Sequence, residues 1–322
     1  MTPWALLRAP LLLVGVSVVV FAATEALPGD AVAARTAGRA DAAQLTELRA
    51  RSGLDQPAWQ RYLGWVADLV RGDAGVSLLS DRPVAELIGQ RLPATAALAG
   101  AALVLTVPVM LTLAWLAATA SPLGRAVSTA VTVVAAVPQV VVAAGLTALL
   151  AGGLALVPPV SLLPVGGVPT VEVLVLPALA LAVPSAAWGA VLLRGAVLDT
   201  LARPHVRDAE LRGVPPWRIA VTEAGPFLLA PAARITAVVA GGLVAATALV
   251  ETLFGYAGLG ELLTGAVANR DTPVVQAVAM LAAVVVVAGL SFADLVAAST
   301  DPRSADRRRR SRPRGPIAGA VR

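Results

Sequence analysis

Long uncharged, apolar stretches alternate with short charged segments along the chain, and each stretch has about the length of a membrane-spanning helix. A bilayer core of about 30 Å needs about 20 mostly apolar residues in one helix. Lipid offers no partners to backbone N–H and C=O groups, so such stretches must be helical. Six spans are predicted, at residues 9–27, 94–118, 126–150, 171–193, 232–250 and 273–293.

Composition supports an integral membrane protein. Hydrophobic residues make up 57% of the 322 residues and charged residues 14%, whereas soluble domains carry about 25% charged residues. The mean hydropathy is +0.79. The fold class predicted is therefore all-α, a polytopic membrane protein with six transmembrane helices.

The first stretch has an alternative interpretation as a cleaved signal peptide, with Arg8 as its positive region. The apolar core of a signal peptide has about 7–15 residues. This stretch is longer, and no small-x-small cleavage site is clearly placed after it. A retained spanning helix is therefore favoured.

Arginine alone predicts the orientation, because the chain has no lysine. If the N-terminus is cytoplasmic, 16 of the 25 basic residues lie inside, as the positive-inside rule requires. Both termini are then cytoplasmic. Asp55 and Asp73 are predicted outside, and Arg212 and Arg310 inside.

The basic tail, residues 297–322, is interpreted as a cytoplasmic anchor attracted to anionic lipid. Nucleic-acid binding is the alternative that a basic tail suggests. It is not favoured, because no aromatic residues interleave the arginines and no folded module lies beside them.

Candidate catalytic chemistry is nearly absent from the sequence. There is no cysteine, and the single histidine, His205, has no evident Ser or Asp partner. A P-loop needs a lysine, so this chain is not an ATPase. Residues 255–260 fit a dinucleotide-binding glycine pattern but follow a membrane span rather than a strand. No catalytic residue, metal site or cofactor is predicted.

Acidic residues lie at or near the predicted span ends: Glu25, Glu172, Glu251 and Asp294. Intramembrane charge suggests function, but at span ends solvation is cheap and structural anchoring is the favoured interpretation. The spans themselves offer no proton relay of the kind that a secondary transporter uses.

The charged island at residues 198–231 resembles the cytoplasmic "EAA" loop through which permease subunits of bacterial ABC importers contact their ATPase. Arg207, Ala209 and Gly213 match the family's (E/R)-x-A-x-x-x-G pattern, and Pro231 matches the proline at which the next span begins. The resemblance implies that these residues couple to the ATPase: His205, Val206, Arg207, Ala209, Glu210, Gly213 and Trp217.

The spacing within this island supports a coupling helix independently. Val206, Ala209 and Gly213 recur at i, i+3 and i+7, which predicts a stripe of small residues on a short helix that another protein surface can approach closely. Gly213 is expected to end that helix, since Pro215 and Pro216 prevent its continuation. The alternative is a solvated loop held near lipid by its arginines.

Further motifs extend the resemblance over essentially the whole chain and narrow it to the first permease of dipeptide, oligopeptide and nickel ABC importers. They include residues 27–30, 53–57, 71–77, 91–95, 250–263 and 269–276. The family-motif permease positions are Pro28, Gly29, Asp30, Glu251, Gly258, Gly260, Arg270, Asp271 and Pro273. Two departures are His205, where the family commonly has an aromatic residue, and residues 223–231, which lack the family's Arg and Asn.

The resemblance implies a type I ABC importer permease fold and a role in ATP-driven uptake. The implied partners are a second homologous permease, two cytoplasmic ABC ATPases and an extracytoplasmic solute-binding protein, in addition to membrane lipid; ATP hydrolysis belongs to the partners. Peptide, nickel, glycoside and opine importers share this subunit type. An ion-gradient-driven secondary transporter and a non-transporting scaffold are the alternative classes.

The resulting organisation has three parts. Residues 1–92 hold the first span and an extracytoplasmic segment, residues 93–296 form a five-helix core with a cytoplasmic coupling loop at 194–233, and residues 297–322 form the tail.

Residues 29–91, which include Trp59, Tyr62 and Trp65, are predicted to be partly helical and to contribute to docking of the binding protein. The alternative is a cap that packs only on its own permease.

Overall fold

The computed structural model of the chain describes residues 3–26 and 56–300, and within them it is helical with no β-strand. Two isolated bridges, Val76 with Pro83 and Leu163 with Tyr256, are the strand-like contacts in these ranges. The helices are α1 (Pro3–Glu25), α2 (Ala58–Val70), α3 (Val84–Ala118), α4 (Pro122–Ala136), α5 (Gln139–Thr147), α6 (Val171–Leu201), α7 (Pro204–Leu211), α8 (Gly225–Phe254), α9 (Leu259–Ala268) and α10 (Thr272–Thr300). A π-helical turn, Ala148–Gly153, follows α5, and another, Ile219–Ala224, precedes α8.

Five segments in the described ranges are long and apolar enough to cross a membrane: Leu7–Glu25, Val84–Ala118, Val171–Leu201, Pro216–Phe254 and Thr272–Phe292. A sixth crossing is obtained if α4 and α5, which are bent by 105° relative to each other, form one span. The all-α, multi-span prediction is confirmed.

Within the predicted span at residues 126–150 the backbone bends sharply at Pro138. Val137 is extended, with φ −75° and ψ 130°, and α5 begins directly after the proline. A proline disfavours the helical conformation of the residue before it. The apolar pattern continues through the bend, which is why hydropathy alone did not reveal it.

The bent pair nevertheless connects the two ends of the bundle. Its first residues follow the end of α3, on the side where α7 lies. After its last turn the chain reaches Ser161, whose backbone N–H donates to Phe254 O at 2.9 Å, at the far end of α8. Because α8 starts on the α7 side and ends on the other, the path of the pair is that of one bent span, the sixth candidate.

Two helix boundaries differ from the prediction because prolines lie inside helices. α3 begins ten residues before the predicted second span and contains Pro93, so it continues across the division drawn at residue 92. Pro231 does not begin the fifth span, as the family pattern suggested, but lies inside α8. Prolines are tolerated in membrane helices, where neighbouring helices re-satisfy the freed backbone groups.

The core is formed chiefly by α3, α6 and α8. Its buried side chains come from all three helices and from the segment between α5 and α6, which places a loop over one end of the bundle. The largest of them that are fully buried are Tyr256, Phe254, Leu98, Met110, Leu176, Leu181 and Leu243. A separate apolar cluster joins the start of α3 to α9 and α10.

Candidate functional site

The short helix predicted in the charged island is present as α7, and its end has the geometry expected for glycine. Gly213 has φ +76°, a conformation that glycine adopts without strain. Its N–H donates to Glu210 O at 2.9 Å and the next N–H, of Val214, donates to Ala209 O at 3.1 Å. These two bonds are those of a Schellman C-cap.

Two residues of the predicted small-residue stripe on α7 face inward, while the third, Gly213, is exposed. Val206 and Ala209 are fully buried and pack against Ile219 inside this chain. Partly buried side chains complete the cluster: Trp115, Leu201 and Val214. The stripe holds α7 against the end of the bundle, since a short helix with an apolar face gains most of its stability from tertiary packing.

The opposite face of α7 and the turn that follows it are exposed. Leu211 is 84% and Trp217 69% exposed, and Arg207, Glu210 and Arg212 are also exposed. Arg212 Nη2 lies 3.4 Å from Asp208 Oδ2 with both side chains in solvent, where such a pair contributes little stability. Large exposed apolar residues among mixed charges are typical of a protein-binding surface.

The two places where the sequence departs from the family pattern, His205 and residues 223–231, contact each other. The rings of His205 and Phe227 lie 5.0 Å apart, and the Arg203 guanidinium stands 4.2 Å above the Phe227 ring. His205 Nε2 is 3.4 Å from Glu223 O. His205 thus joins α7 to the segment that leads into α8.

A pocket of about 570 Å³ opens between α7 and the end of α3. Arg207 and Glu210 lie at its α7 side. Its lining is completed by Trp115, Ala118, Thr119, Ala120, Leu201, Val214, Pro216 and Ile219. The surface around α7 is therefore concave on one side.

At the other end of the bundle, Glu251 is fully buried and accepts hydrogen bonds from three donors. The Thr95 hydroxyl donates to Oε1 at 2.7 Å, and the Gly260 and Glu261 N–H groups donate to Oε2 at 2.6 and 3.2 Å. The last two are free N–H groups at the start of α9, where a carboxylate is favourable. This corrects the expectation that solvent stabilises Glu251 at a span end.

Glycine is required at positions 258 and 260 by close packing around this carboxylate. A Cβ on Gly258 would lie 2.3 Å from Glu251 Cδ, and one on Gly260 would lie 2.1 Å from the Ala248 Cα. The start of α9 can approach α8 this closely only without side chains at those positions. The Gly-x-Gly spacing therefore serves the Glu251 contact, and not a nucleotide.

Thr95 and Tyr256 complete this cluster from α3 and from the turn after α8. Thr95 Oγ1 accepts from Leu259 N at 2.7 Å, and the Tyr256 hydroxyl donates to Ala94 O at 2.8 Å. Burial, with the nearby Glu251 charge as a second cause, raises the pKa of Tyr256 to about 12. The phenol consequently stays a donor at physiological pH.

Asp271 forms a second buried carboxylate contact at the same end. The Ser77 hydroxyl donates to Oδ2 and the Leu78 N–H donates to Oδ1 at 3.0 Å. Arg270 has φ +58°, and Pro273 lies beside Gly75. The motif at residues 269–276 thus attaches the start of α10 to the segment that precedes α3.

Comparison with known proteins agrees with this arrangement. Residues 110–306 match the family model described as binding-protein-dependent transport system inner membrane component. The chain belongs to this family. The match includes α7, Glu251 and the start of α9, whereas Thr95 lies before the matched residues. It identifies the chain as a multi-pass inner-membrane permease subunit of an ATP-driven importer, a transporter component rather than an enzyme, and neither alternative class is favoured.

Individual relatives of the permease extend the similarity to its N-terminal part. The chain is 30% identical to a probable peptide ABC transporter permease of Sinorhizobium fredii, over 89% of this chain and 93% of the relative. It is 28% identical to the oligopeptide transport permease AppB of Bacillus subtilis, over 92% and 96%. The probable D,D-dipeptide permease DdpB of Escherichia coli is 29% identical, over 94% and 98%.

The remaining predicted positions of the permease lie outside the described residues. They are Pro28, Gly29 and Asp30, together with Asp55, Arg310 and the basic tail from residue 301. Sequence reasoning did not include Thr95, Ser77 or Tyr256 among the site residues. Thr95 and Ser77 occur in quoted motifs, but their partners lie 156 and 194 residues away.

Proposed function

We propose that this permease forms, with a second homologous permease, a pathway for peptides or related small solutes. The printed names of its relatives, which refer to peptides, oligopeptides and D,D-dipeptides, support this substrate class. The proposed partners are two cytoplasmic ABC ATPases and an extracytoplasmic solute-binding protein. The observation that carries the coupling proposal is α7, held by Val206 and Ala209 with a large exposed face on its other side.

In this proposal α7 transmits ATPase movement to the spans. Leu211, Trp217 and the charges of α7 form the ATPase contact, and the inner cluster with Ile219 joins α7 to the segment continuous with α8. Movement of α7 therefore displaces the start of α8 directly. Both chain termini and α7 lie in the cytoplasm, and the Glu251 cluster lies on the extracytoplasmic side.

Gly213→Asp tests the coupling role. A side chain at φ +76° is strained by about 1–3 kcal/mol, and a carboxylate adds bulk and charge at the proposed ATPase contact. We expect normal membrane abundance, weakened co-purification of the ATPase and loss of substrate-stimulated ATP hydrolysis.

Gly72→Asp is the matched control at the opposite end. Gly72 has φ +86° and, like Gly213, has no atom within 4 Å of an added Cβ. The backbone strain is therefore similar, but ATPase association should be retained. Wild-type association and uptake in Gly213→Asp would refute the assignment of α7.

Single-cysteine labelling tests the proposed orientation in a chain that has no cysteine of its own. Asp73→Cys should react with a membrane-impermeant maleimide in intact cells, and Arg212→Cys only after the membrane is opened. Labelling of Arg212→Cys in intact cells would mean that the proposed orientation is reversed.

Docking of the binding protein is proposed for the extracytoplasmic surface contributed by residues 29–91. In the described part, Asp73 and Leu79 are exposed beside the Ser77–Asp271 contact. Photo-crosslinkers at these two positions should capture the binding protein when substrate is present. Consistent absence of crosslinks while transport is intact would count against docking.

A further inference from the structure

Helix α2 has an exposed apolar face in addition to the one that it packs inside the chain. Tyr62 and Trp65 contact Phe21 of α1, with ring centroids 5.4 and 5.9 Å apart. Trp59, Leu63 and Val70 recur at i, i+4 and i+11 and lie on another side of the helix. They are 62%, 57% and 83% exposed.

The depth of α2 relative to the first span follows from its contacts with α1. Arg61 Nη2 lies 2.5 Å from Glu25 Oε1, at the last residue of α1. The Tyr62 hydroxyl is 2.9 Å from the Ser17 hydroxyl. Ser17 precedes Glu25 by eight residues, about 12 Å along a helix that rises 1.5 Å per residue. α2 therefore packs beside the last two turns of a membrane-spanning segment.

A further contact identifies which end of the bundle this is. Gln276 Nε2 donates to Thr24 Oγ1 at 2.8 Å, near the start of α10. That start carries the Asp271–Ser77 contact. α2 thus lies at the same end as the Glu251 cluster and opposite α7.

The remaining side of α2 is polar. Gln60, Gly64 and Asp68 recur at i, i+4 and i+8 and are exposed, and Arg71 pairs with Asp68 at 3.0 Å in solvent. The helix therefore has three sides, of which one faces α1, one is apolar and open, and one is polar. Amphipathic helices of this kind, with aromatic residues near the boundary, lie in the membrane interface.

We propose that α2 is an interfacial helix and that the occupant of its open face is membrane lipid. Trp59, Leu63 and Val70 insert among the acyl chains of the leaflet at the Glu25 end, while Gln60 and Asp68 face water. Lipid is favoured over a soluble partner because the Tyr62–Ser17 contact holds the helix below the end of a span, where acyl chains are the surroundings. Identification of that leaflet as the outer one depends on the orientation proposed above.

The proposal is tested with nitroxide labels on single cysteines in the full chain, reconstituted in phosphatidylcholine vesicles. Leu63→Cys and Val70→Cys report on the apolar face, and Gln60→Cys and Asp68→Cys are matched controls on the polar face of the same helix. We expect the ratio of accessibility to oxygen over accessibility to nickel-EDDA to be several-fold higher at positions 63 and 70. The corresponding depth should be about 5–10 Å.

Two results would overturn the proposal. Equal, high nickel-EDDA accessibility at all four positions means that the apolar face is in water. Low accessibility to both reagents at positions 63 and 70 means that protein covers it, whether from this chain, a second permease or the binding protein.

A charge substitution gives an independent test. Leu63→Glu should lower the oxygen-to-nickel-EDDA ratio at a label on position 70 several-fold, because the helix moves outward. Gln60→Glu, on the polar face of the same helix, should leave that ratio unchanged. An unchanged ratio in Leu63→Glu contradicts lipid insertion.

Discussion

The buried carboxylates Glu251 and Asp271 of this permease and the exposed face of α7 hold charge in opposite ways. At the Glu251 end, two carboxylates are buried and every oxygen has a donor supplied by another segment. At the α7 end, the charges of the helix are in solvent and the apolar side chains Leu211 and Trp217 are exposed. A buried carboxylate with fixed donors joins helices within the chain, whereas an exposed mixed surface is available to the proposed ATPase partner. Substitutions at the buried carboxylates should thus reduce stability, and those on the exposed face of α7 should reduce the proposed coupling with little effect on stability.

Glu251→Ala should have the largest effect. It leaves the N–H groups of Gly260 and Glu261 and the Thr95 hydroxyl without their acceptor, and each unsatisfied buried donor costs about 1–3 kcal/mol. We expect at least about 3 kcal/mol of lost stability, measured as loss of folded protein on heating in detergent. Glu172→Ala, at an exposed acid in the first turn of α6, is the control and should be near wild type.

Ser77→Ala removes the hydroxyl that donates to Asp271. Hydrogen bonds to charged groups contribute about 1.5–3 kcal/mol, and we expect a loss in that range by the same thermal assay. Ser80→Ala, three residues away with an exposed side chain, should change stability by less than about 0.5 kcal/mol. Equal stability of the two variants would mean that the Asp271 contact does not join the segments.

Gly260→Ala places a methyl group against the backbone of Ala248. Overpacking typically costs about 1–3 kcal/mol, and α9 should separate from α8. Gly265→Ala lies in the same helix, where nothing is within 4 Å of an added Cβ, and should be neutral or slightly stabilising. The two variants are compared by proteolysis of the 255–271 region in membranes. Equal resistance of the two would refute the close approach of α9 to α8.

Leu211→Ser should have the smallest effect on stability and a large one on transport. The side chain is exposed, so the free energy of unfolding should change by less than about 0.5 kcal/mol. ATPase co-purification and uptake should nevertheless fall. Leu156→Ser removes a similarly exposed leucine at the opposite end, and should leave ATPase binding intact. If ATPase co-purification fell to a similar degree in both variants, the exposed leucine of α7 would not be a specific ATPase contact.

Hydropathy and motif spacing predicted much of this architecture from particular residues. The five long spans and the bent sixth candidate follow from apolar length, and the end of α7 follows from Gly213 before two prolines. The bend at Pro138 was missed because its flanks are equally apolar. The burial of Val206 and Ala209 was misread because a small-residue stripe can face either the same chain or a partner, and spacing does not distinguish the two. The partners of Glu251 could not be predicted, because they depend on which helix ends meet in space.

The contacts at the Glu251 end also set an order of assembly. Thr95 is synthesised long before Glu251, and Ser77 long before Asp271. While the chain is still being inserted, the early helices therefore hold polar groups whose partners have not yet left the ribosome. The Glu251 end closes only when α9 and the start of α10 arrive, so a chain truncated before residue 259 retains polar groups at this end whose partners are missing.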